Sequence, residues 1–323
     1  MFEVSPQPAD LGRVRLAVTD LDGSLLLDDS TLPEGVEQRI AALEGVGAEF
    51  AVASGRPLYT LRDNFGALLD ELMVVGDNGG LVVDHGKVIY KADMPVEDYR
   101  RMARITSEMG DCGFICGLDG CYVDAKAKPY EDFIRTFYTK CEFVDDLTQV
   151  DVPANKFTVM FPNNDALDQI GAYRDRIGGN FQYCCGGVMW VDIVPEGVSK
   201  GAALRRVSDI TGIDTADMAA FGDAPNDADM LETVGFGYMM ANAVPEMRAH
   251  ADYVAPSNEE RGVLVLDMWS KVKGDNLGGG IVIFLLAIVA AITIFVAIKK
   301  IEHYKHRRLS RKHHRRHVIK VKR

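Results

Sequence analysis

Apolar runs of four or five residues alternate with longer stretches whose apolar positions recur at helical spacing. "VRLAV" (14–18), "EFAVA" (49–53) and "LMVV" (72–75) predict buried strands. Between the first two, "LPEGVEQRIAALEGVG" (32–47) predicts a helix running into glycine, and a second helix follows Pro57. This βαβαβ order implies parallel strands, right-handed crossovers and helices on both faces. The rhythm returns late in the chain. "GVSKGAALRRVSDIT" (197–211) and "NDADMLETV" (226–234) predict helices, and "MAAF" (218–221) and "GFGYMM" (235–240) predict strands.

Between these halves the pattern changes. "LVVDHGKVIY" (81–90) predicts a hairpin turning at Asp84-His85-Gly86, and "VEDYRRMARITSEMG" (96–110) an amphipathic helix ending at glycine. "NKFTVMFP" (155–162) and "VMWVDIV" (188–194) predict strands around the helix "NDALDQIGAYRDRIG" (164–178). The expected fold is α/β: a doubly wound, Rossmann-like parallel sheet interrupted by an α+β insert. Its expected divisions are a core in two parts, 1–82 and 193–274, an insert at 83–192 and a tail at 275–323.

The tail carries its own pattern. After Gly278-Gly279-Gly280, "IVIFLLAIVAAITIFVAI" (281–298) has Thr293 as its only polar residue. As a helix it would reach about 27 Å, close to the lower limit for crossing a bilayer. A run with no polar face predicts a hydrophobic helix that meets lipid. The last 25 residues hold twelve Lys and Arg against the single acid Glu302, in a chain whose net charge is −11. Such a polybasic segment predicts anionic membrane lipid as a partner, and no nucleic-acid partner is expected. The N-terminal "MFEVSPQPADLGRVR" has neither a basic start nor an apolar stretch, so it does not read as a secretory signal. The expected location is therefore membrane-associated, with the body facing the cytoplasm.

The six cysteines show no disulfide framework and predict reduced, mostly buried thiols. The spacing of Cys112, Cys116 and Cys121 matches no common zinc pattern.

In open parallel sheets, ligands sit at the carboxyl ends of the strands. Four stretches fall at such ends or at the facing helix starts. They are Asp20 and Asp22, Ser54-Gly55-Arg56, Lys200, and "GDAPND" (222–227). Each alone is compatible with a turn, a helix start or a solvated lysine. Together they supply several carboxylates, a hydroxyl, an ammonium and an amide. That set suits a hard cation such as Mg2+ together with a phosphate, and the cation would offset the repulsion between Asp20 and Asp22.

"DLDGSLL", "ASGRP", "VSKG" and "GDAPNDADML" resemble, in order, the four motifs of the haloacid dehalogenase superfamily. The cap-sized insert between the second and third motifs makes the resemblance one to Cof-type phosphatases with a C2 cap, over roughly 14–272. The resemblance implies Mg2+-dependent hydrolysis of small phosphorylated metabolites, sugar phosphates or phosphorylated cofactors, through an aspartyl-phosphate. By position, Asp20 would be the nucleophile and Asp22 the general acid and base. Leu21 and Gly55 (through their amides), Ser54, Lys200 and Asn226 would bind phosphate. Asp20, the main-chain carbonyl of Asp22, and Asp223 would hold the metal, supported by Asp227. Ser24 stands where the family usually has threonine, and Ala241 where glycine is common. A carboxylate at Asp22 favours phosphatase or mutase chemistry, since the superfamily's dehalogenases and P-type ATPases lack one there. The alternatives are a phosphomutase or a catalytically silent, membrane-bound phosphate-binding module. In the insert, Asp119, Asp124, Glu131 and Asp132 read as a solvated face, Trp190 and Tyr183 as packing, and Asp192 as a structural residue near the hinge.

Overall fold

The computed structural model describes residues 2–5, 10–185 and 188–265. In the first part of the chain lie strands β1 (Leu16–Thr19), β2 (Glu49–Ala53), β3 (Met73–Gly76), β4 (Leu81–Asp84) and β5 (Lys87–Lys91). The insert holds β6 (Cys112–Gly117), β7 (Cys121–Asp124), β8 (Cys141–Val144), β9 (Ala154–Met160), β10 (Phe181–Cys185) and β11 (Trp190–Pro195). The last strands are β12 (Met218–Gly222), β13 (Phe236–Met240) and β14 (Tyr253–Ala255).

Eight strands form the core sheet in the order β14-β13-β12-β1-β2-β3-β4-β5, so β1 lies near its middle. From β14 to β3 all neighbours are parallel. Every residue of β1 is buried, because helices cover both faces of the sheet. Alternation divides its side chains between two cores. Leu16 and Val18 pack with Leu204 and Val207 of one helix and Met230 of another, α6 (Lys200–Thr211) and α7 (Ala228–Thr233). Ala17 faces Ile40 and Leu43 of α1 (Val36–Glu44) and Leu61 and Phe65 of α2 (Leu58–Phe65). Each fully buried aliphatic or aromatic side chain contributes about 1.5–3 kcal/mol.

The hairpin of β4 and β5 extends this core sheet instead of joining the insert, against the expected division at 83, and makes the sheet mixed. The reason is local. Only four residues separate β3 from β4, too few for a crossover. Asp77, Asn78 and Gly79 all take positive φ (50°, 53° and 93°), which turns the chain straight back beside β3.

The insert is a second sheet, ordered β10-β11-β9-β6-β7-β8 and antiparallel except for β7 against β8. One face is covered by α3 (Val96–Met109) and α5 (Ala166–Ile177), through Tyr99, Met102 and Tyr173 against Phe157 and Ile193. The other face carries Phe114, Cys116, Met160 and Tyr138, which follows α4 (Glu131–Phe137), and packs on Tyr59 of α2. That face therefore looks toward the core.

Among the described residues no helix is long and apolar enough to cross a membrane. The apolar run at 281–298 and the basic tail lie outside the described residues.

Candidate active site

Asp20 leaves the end of β1 with its amide donating to the Phe221 carbonyl of β12 (2.8 Å), which locks two neighbouring strand ends together. Its carboxylate is buried and accepts from Lys200 Nζ at 2.5 Å. Lys200, wholly buried at the start of α6, also donates to Asp227 Oδ1 at 2.6 Å. A cation at a helix N-terminus opposes the helix dipole, so these carboxylates are what hold it there. Burial pushes the ammonium toward neutrality, and Asp20 and Asp227 more than reverse that, leaving its pKa raised. Burial pushes the Asp20 carboxyl well up; Lys200 pulls against it, and Asp227 and Asp223 add to the rise.

Asp223 follows β12 and accepts a hydrogen bond from Ser24 Oγ at 3.0 Å. Burial and then Asp227 raise the Asp223 carboxyl to about 7. Gly23 makes this approach possible. Its φ is +82°, and a Cβ there would collide with the Asp223 carboxylate. Asp227 is saturated: Oδ1 takes Lys200, and Oδ2 accepts the amides of Asp223 (3.0 Å) and Ala224 (3.1 Å).

Asp20, Asp223 and Asp227 each bring a carboxylate oxygen within 4.8 Å of the other two. One buried ammonium cannot neutralise three carboxylates, and the donors are all hard oxygens. The residues present fit a divalent cation of the Mg2+ type.

Asp22 turns away from this cluster. Arg56 grips it with two contacts, Nε to Oδ2 at 2.8 Å and Nη2 to Oδ1 at 2.5 Å. Arg56 is itself buried, reaches Asn64 Oδ1 at 3.3 Å, and lies over the Phe137 ring of the insert at 5.2 Å. From sequence Arg56 is only one residue of "ASGRP", without a role of its own. A guanidinium beside two phosphate-site candidates in an acidic region was the signal available.

A cavity of about 290 Å³ opens here between the core and the insert. From the core, Asp20, Asp22, Ser54, Gly55 and Asn226 line it, so five of the predicted site residues meet in one space. Leu21 begins the following loop with its side chain in the core. The insert contributes Phe137, Tyr138, Trp190 and Asp192. Trp190 is thus more than packing: it stacks on Phe133 with ring centroids 6.0 Å apart and also forms cavity wall. Tyr183 stays within the insert, under Arg174 at 5.2 Å.

A buried polar network joins insert to core beside this cavity. Lys156 of β9 donates to the Gly55 carbonyl (2.7 Å) and to Asp192 Oδ2 (3.1 Å), and pairs with Asp77 at 3.1 Å. Asp192 also accepts from Thr158 Oγ1 (2.6 Å) and Asn78 Nδ2 (2.7 Å), and Asn78 Oδ1 accepts from Asn226 Nδ2 at 3.0 Å. The loops carrying Gly55 and Asn226 are therefore fixed partly by the insert. Such a network holds position because each buried charge would be costly if unpaired.

Comparison with known proteins agrees with this arrangement. Residues 17–266 match the model of the haloacid dehalogenase-like hydrolases. The chain is 29% identical over 258 residues to the 5-amino-6-(5-phospho-D-ribitylamino)uracil phosphatase YbjI of Escherichia coli, covering 78% of this chain and 94% of that one. It is 26% identical over 262 residues to the HMP-PP phosphatase of Escherichia fergusonii, covering 74% and 89%. Among solved structures, SMU.1108c of Streptococcus mutans is similar with a TM-score of 0.74 and 25% identity, over 80% of this chain and 98% of that one. The subclass IIB sugar phosphatase BT4131 shares the fold with a TM-score of 0.71 at 20% identity, over 80% of this chain and all of the other (100%). With motifs, fold and matched length in agreement, the chain belongs to the haloacid dehalogenase-like hydrolase family, among relatives that are phosphatases.

Proposed function

We propose that this phosphatase hydrolyses small phosphomonoesters through an aspartyl-phosphate on Asp20, with Mg2+ as cofactor. One observation carries the reading: the Asp20 carboxylate, held by a buried lysine, faces the cavity between core and insert that Asp22 also lines. An Asp20 oxygen attacks phosphorus as the bond to the leaving oxygen breaks, and Asp22 gives that oxygen its proton. Water then attacks the same phosphorus, Asp22 takes its proton, and Asp20 is released. Ser54, Asn226 and the amides of Leu21 and Gly55 hold the phosphoryl oxygens, and Lys200 offsets their charge. Asp20, the Asp22 main-chain carbonyl and Asp223 would hold Mg2+, with Asp227 fixing Lys200 and the 223–224 backbone. When bound, the ion draws charge from carboxylate and phosphate oxygens.

The insert acts as a cap over this site. Its wall of Phe137, Tyr138 and Trp190 suits a compact ester with a planar ring, as in a phosphorylated cofactor fragment or a sugar phosphate carrying a base. The purified chain, assayed with Mg2+ for phosphate release from a panel of metabolites, should favour ring-bearing monoesters over open-chain ones. Trp190→Ala should raise KM for the preferred esters about threefold to tenfold, the weight of one aromatic contact. An isomerised ester in place of free phosphate would identify a mutase, and no turnover across the panel would leave a silent binding module.

Metal binding should depend on pH through Asp223. Its pKa of about 7 in the metal-free fold lies above the ordinary 3.8, so its protonated form favours folding. That contribution is lost as pH rises through about 7, where Mg2+ replaces it. The rise in Tm on adding Mg2+ should therefore be larger at about pH 8 than at about pH 6. Equal shifts would contradict the assignment of Asp223.

The reading extends to location. The uncharged run 281–298 and the basic residues after it suit a chain held at a membrane, its catalytic part on the cytoplasmic side and its tail against anionic lipid. The full chain should sediment with membranes and resist a molar NaCl wash, because apolar burial is insensitive to screening. Clean release by salt would remove the anchor.

A further inference from the structure

Three cysteines stand in one row across the inserted sheet. Cys116 on β6 pairs in register with Cys121 on β7, and Cys121 pairs in register with Cys141 on β8. All three are free thiols. Their access differs. Cys116 is wholly buried and Cys121 nearly so, whereas Cys141 is half-buried. Cys121 and Cys141 border a cavity of about 570 Å³ that shares no residue with the active-site cavity. Lys91, Arg135 and Lys140 border it with Asp119 and Glu142, and of these Arg135 acts on the Cys141 sulfur.

The two thiols are unlike in chemistry as well as in access. The neighbouring Cys121 thiol brings the Cys141 thiol down to about 7; burial and Glu131 oppose this and Arg135 assists it. Burial pushes the Cys121 thiol well up. The more accessible of the two thiols is therefore also the more acidic, beside a thiol in the next strand that burial keeps protonated. Neighbouring strands lie about 4.7–4.9 Å apart, inside the Cα separation that a disulfide spans, about 4.4–6.8 Å. None of these groups takes part in the phosphatase reaction.

We propose that Cys141 and Cys121 form a dithiol–disulfide pair on the insert, oxidised by hydroperoxides that enter the second cavity. The Cys141 sulfur attacks the terminal peroxide oxygen; the S–O bond forms as the O–O bond breaks, and the departing oxygen takes a proton. The Cys141 sulfenic acid that results is attacked by the Cys121 sulfur. The S–S bond forms as the S–O bond breaks, and the oxygen leaves as water with the Cys121 proton. Two thiols and one hydroperoxide become one disulfide, one alcohol (water, for hydrogen peroxide) and one water.

The test uses the reduced full chain and hydrogen peroxide. Its intact mass should fall by two hydrogens, peptide mapping should join Cys121 to Cys141, and dithiothreitol should reverse both. Cys121→Ser should stop at a Cys141 sulfenic acid that dimedone traps, and Cys141→Ser should abolish the crosslink. In the unmutated protein Cys141 should also react with iodoacetamide at neutral pH before Cys185, the other half-buried thiol. A crosslink mapping to Cys116–Cys121 or Cys184–Cys185 would overturn the proposal. So would unchanged mass under peroxide with Cys141 no faster than Cys185.

Discussion

Asp20→Asn is expected to lower turnover by about ten-thousandfold or more, the scale on which removal of a covalent nucleophile acts. The amide keeps the shape of the side chain and loses the attacking charge. Folding should not suffer. In the metal-free protein the Asp20 carboxylate is disfavoured by burial and by its acidic neighbours, and Lys200 keeps Asp227 as a partner at 2.6 Å. The Tm without Mg2+ should therefore stay level or rise, which separates lost chemistry from lost structure. Acid-quenched wild-type protein should also carry a phosphoryl group that the variant lacks. Phosphate release from Asp20→Asn near the wild-type rate, with a normal melt, would end the covalent mechanism.

Much of the core half of the candidate site was legible in the sequence because its placement depends on short-range geometry. A strand that must end where Asp20 begins, a glycine that must follow Asp22, and a lysine at a helix start are local facts. The core strands around them were readable for the same reason, as apolar runs buried on both faces. The insert was legible only in part. Its helices α3 and α5 announce themselves by a period near 3.6. The strands β6, β7 and β8 do not, because "CGFICG", "CYVD" and "CEFV" are short and cysteine-rich and lack a strict alternation. The hairpin 81–91 was read correctly as a hairpin but expected in the insert, since nothing within it says which sheet it joins. That is decided by the left-handed residues before it. Long-range pairing was the least visible. Lys156 finds Gly55 across 101 positions, and Arg56 finds Asp22 across 34, so neither contact leaves a periodic trace. Trp190 failed differently: one face of the ring packs while part of it lines the cavity, and sequence cannot divide a side chain between two roles.

The Arg56–Asp22 pair leads to the second large effect. Asp22→Asn should slow hydrolysis of alkyl phosphates by about a hundredfold to ten-thousandfold, the range for a lost general acid or base. The two halves of the reaction should separate when the leaving group is varied. Nitrophenolate departs without a proton, so Asp22→Asn should still release it in a first turnover close to the wild-type rate. The steady state should then be slow, because no base remains to activate water. An alkyl ester needs the proton at once and should show no such burst. Arg56 can neither supply nor accept that proton, but it fixes Asp22 with two contacts at 2.8 and 2.5 Å. Arg56→Lys keeps a cation and loses the planar two-point grip, so it should give a smaller loss of the same selectivity, alkyl ester before nitrophenyl ester. A structural role alone would depress both substrates alike and lower Tm with them. Equal losses on the two esters for Asp22→Asn, with no burst on the nitrophenyl ester, would remove Asp22 from proton transfer.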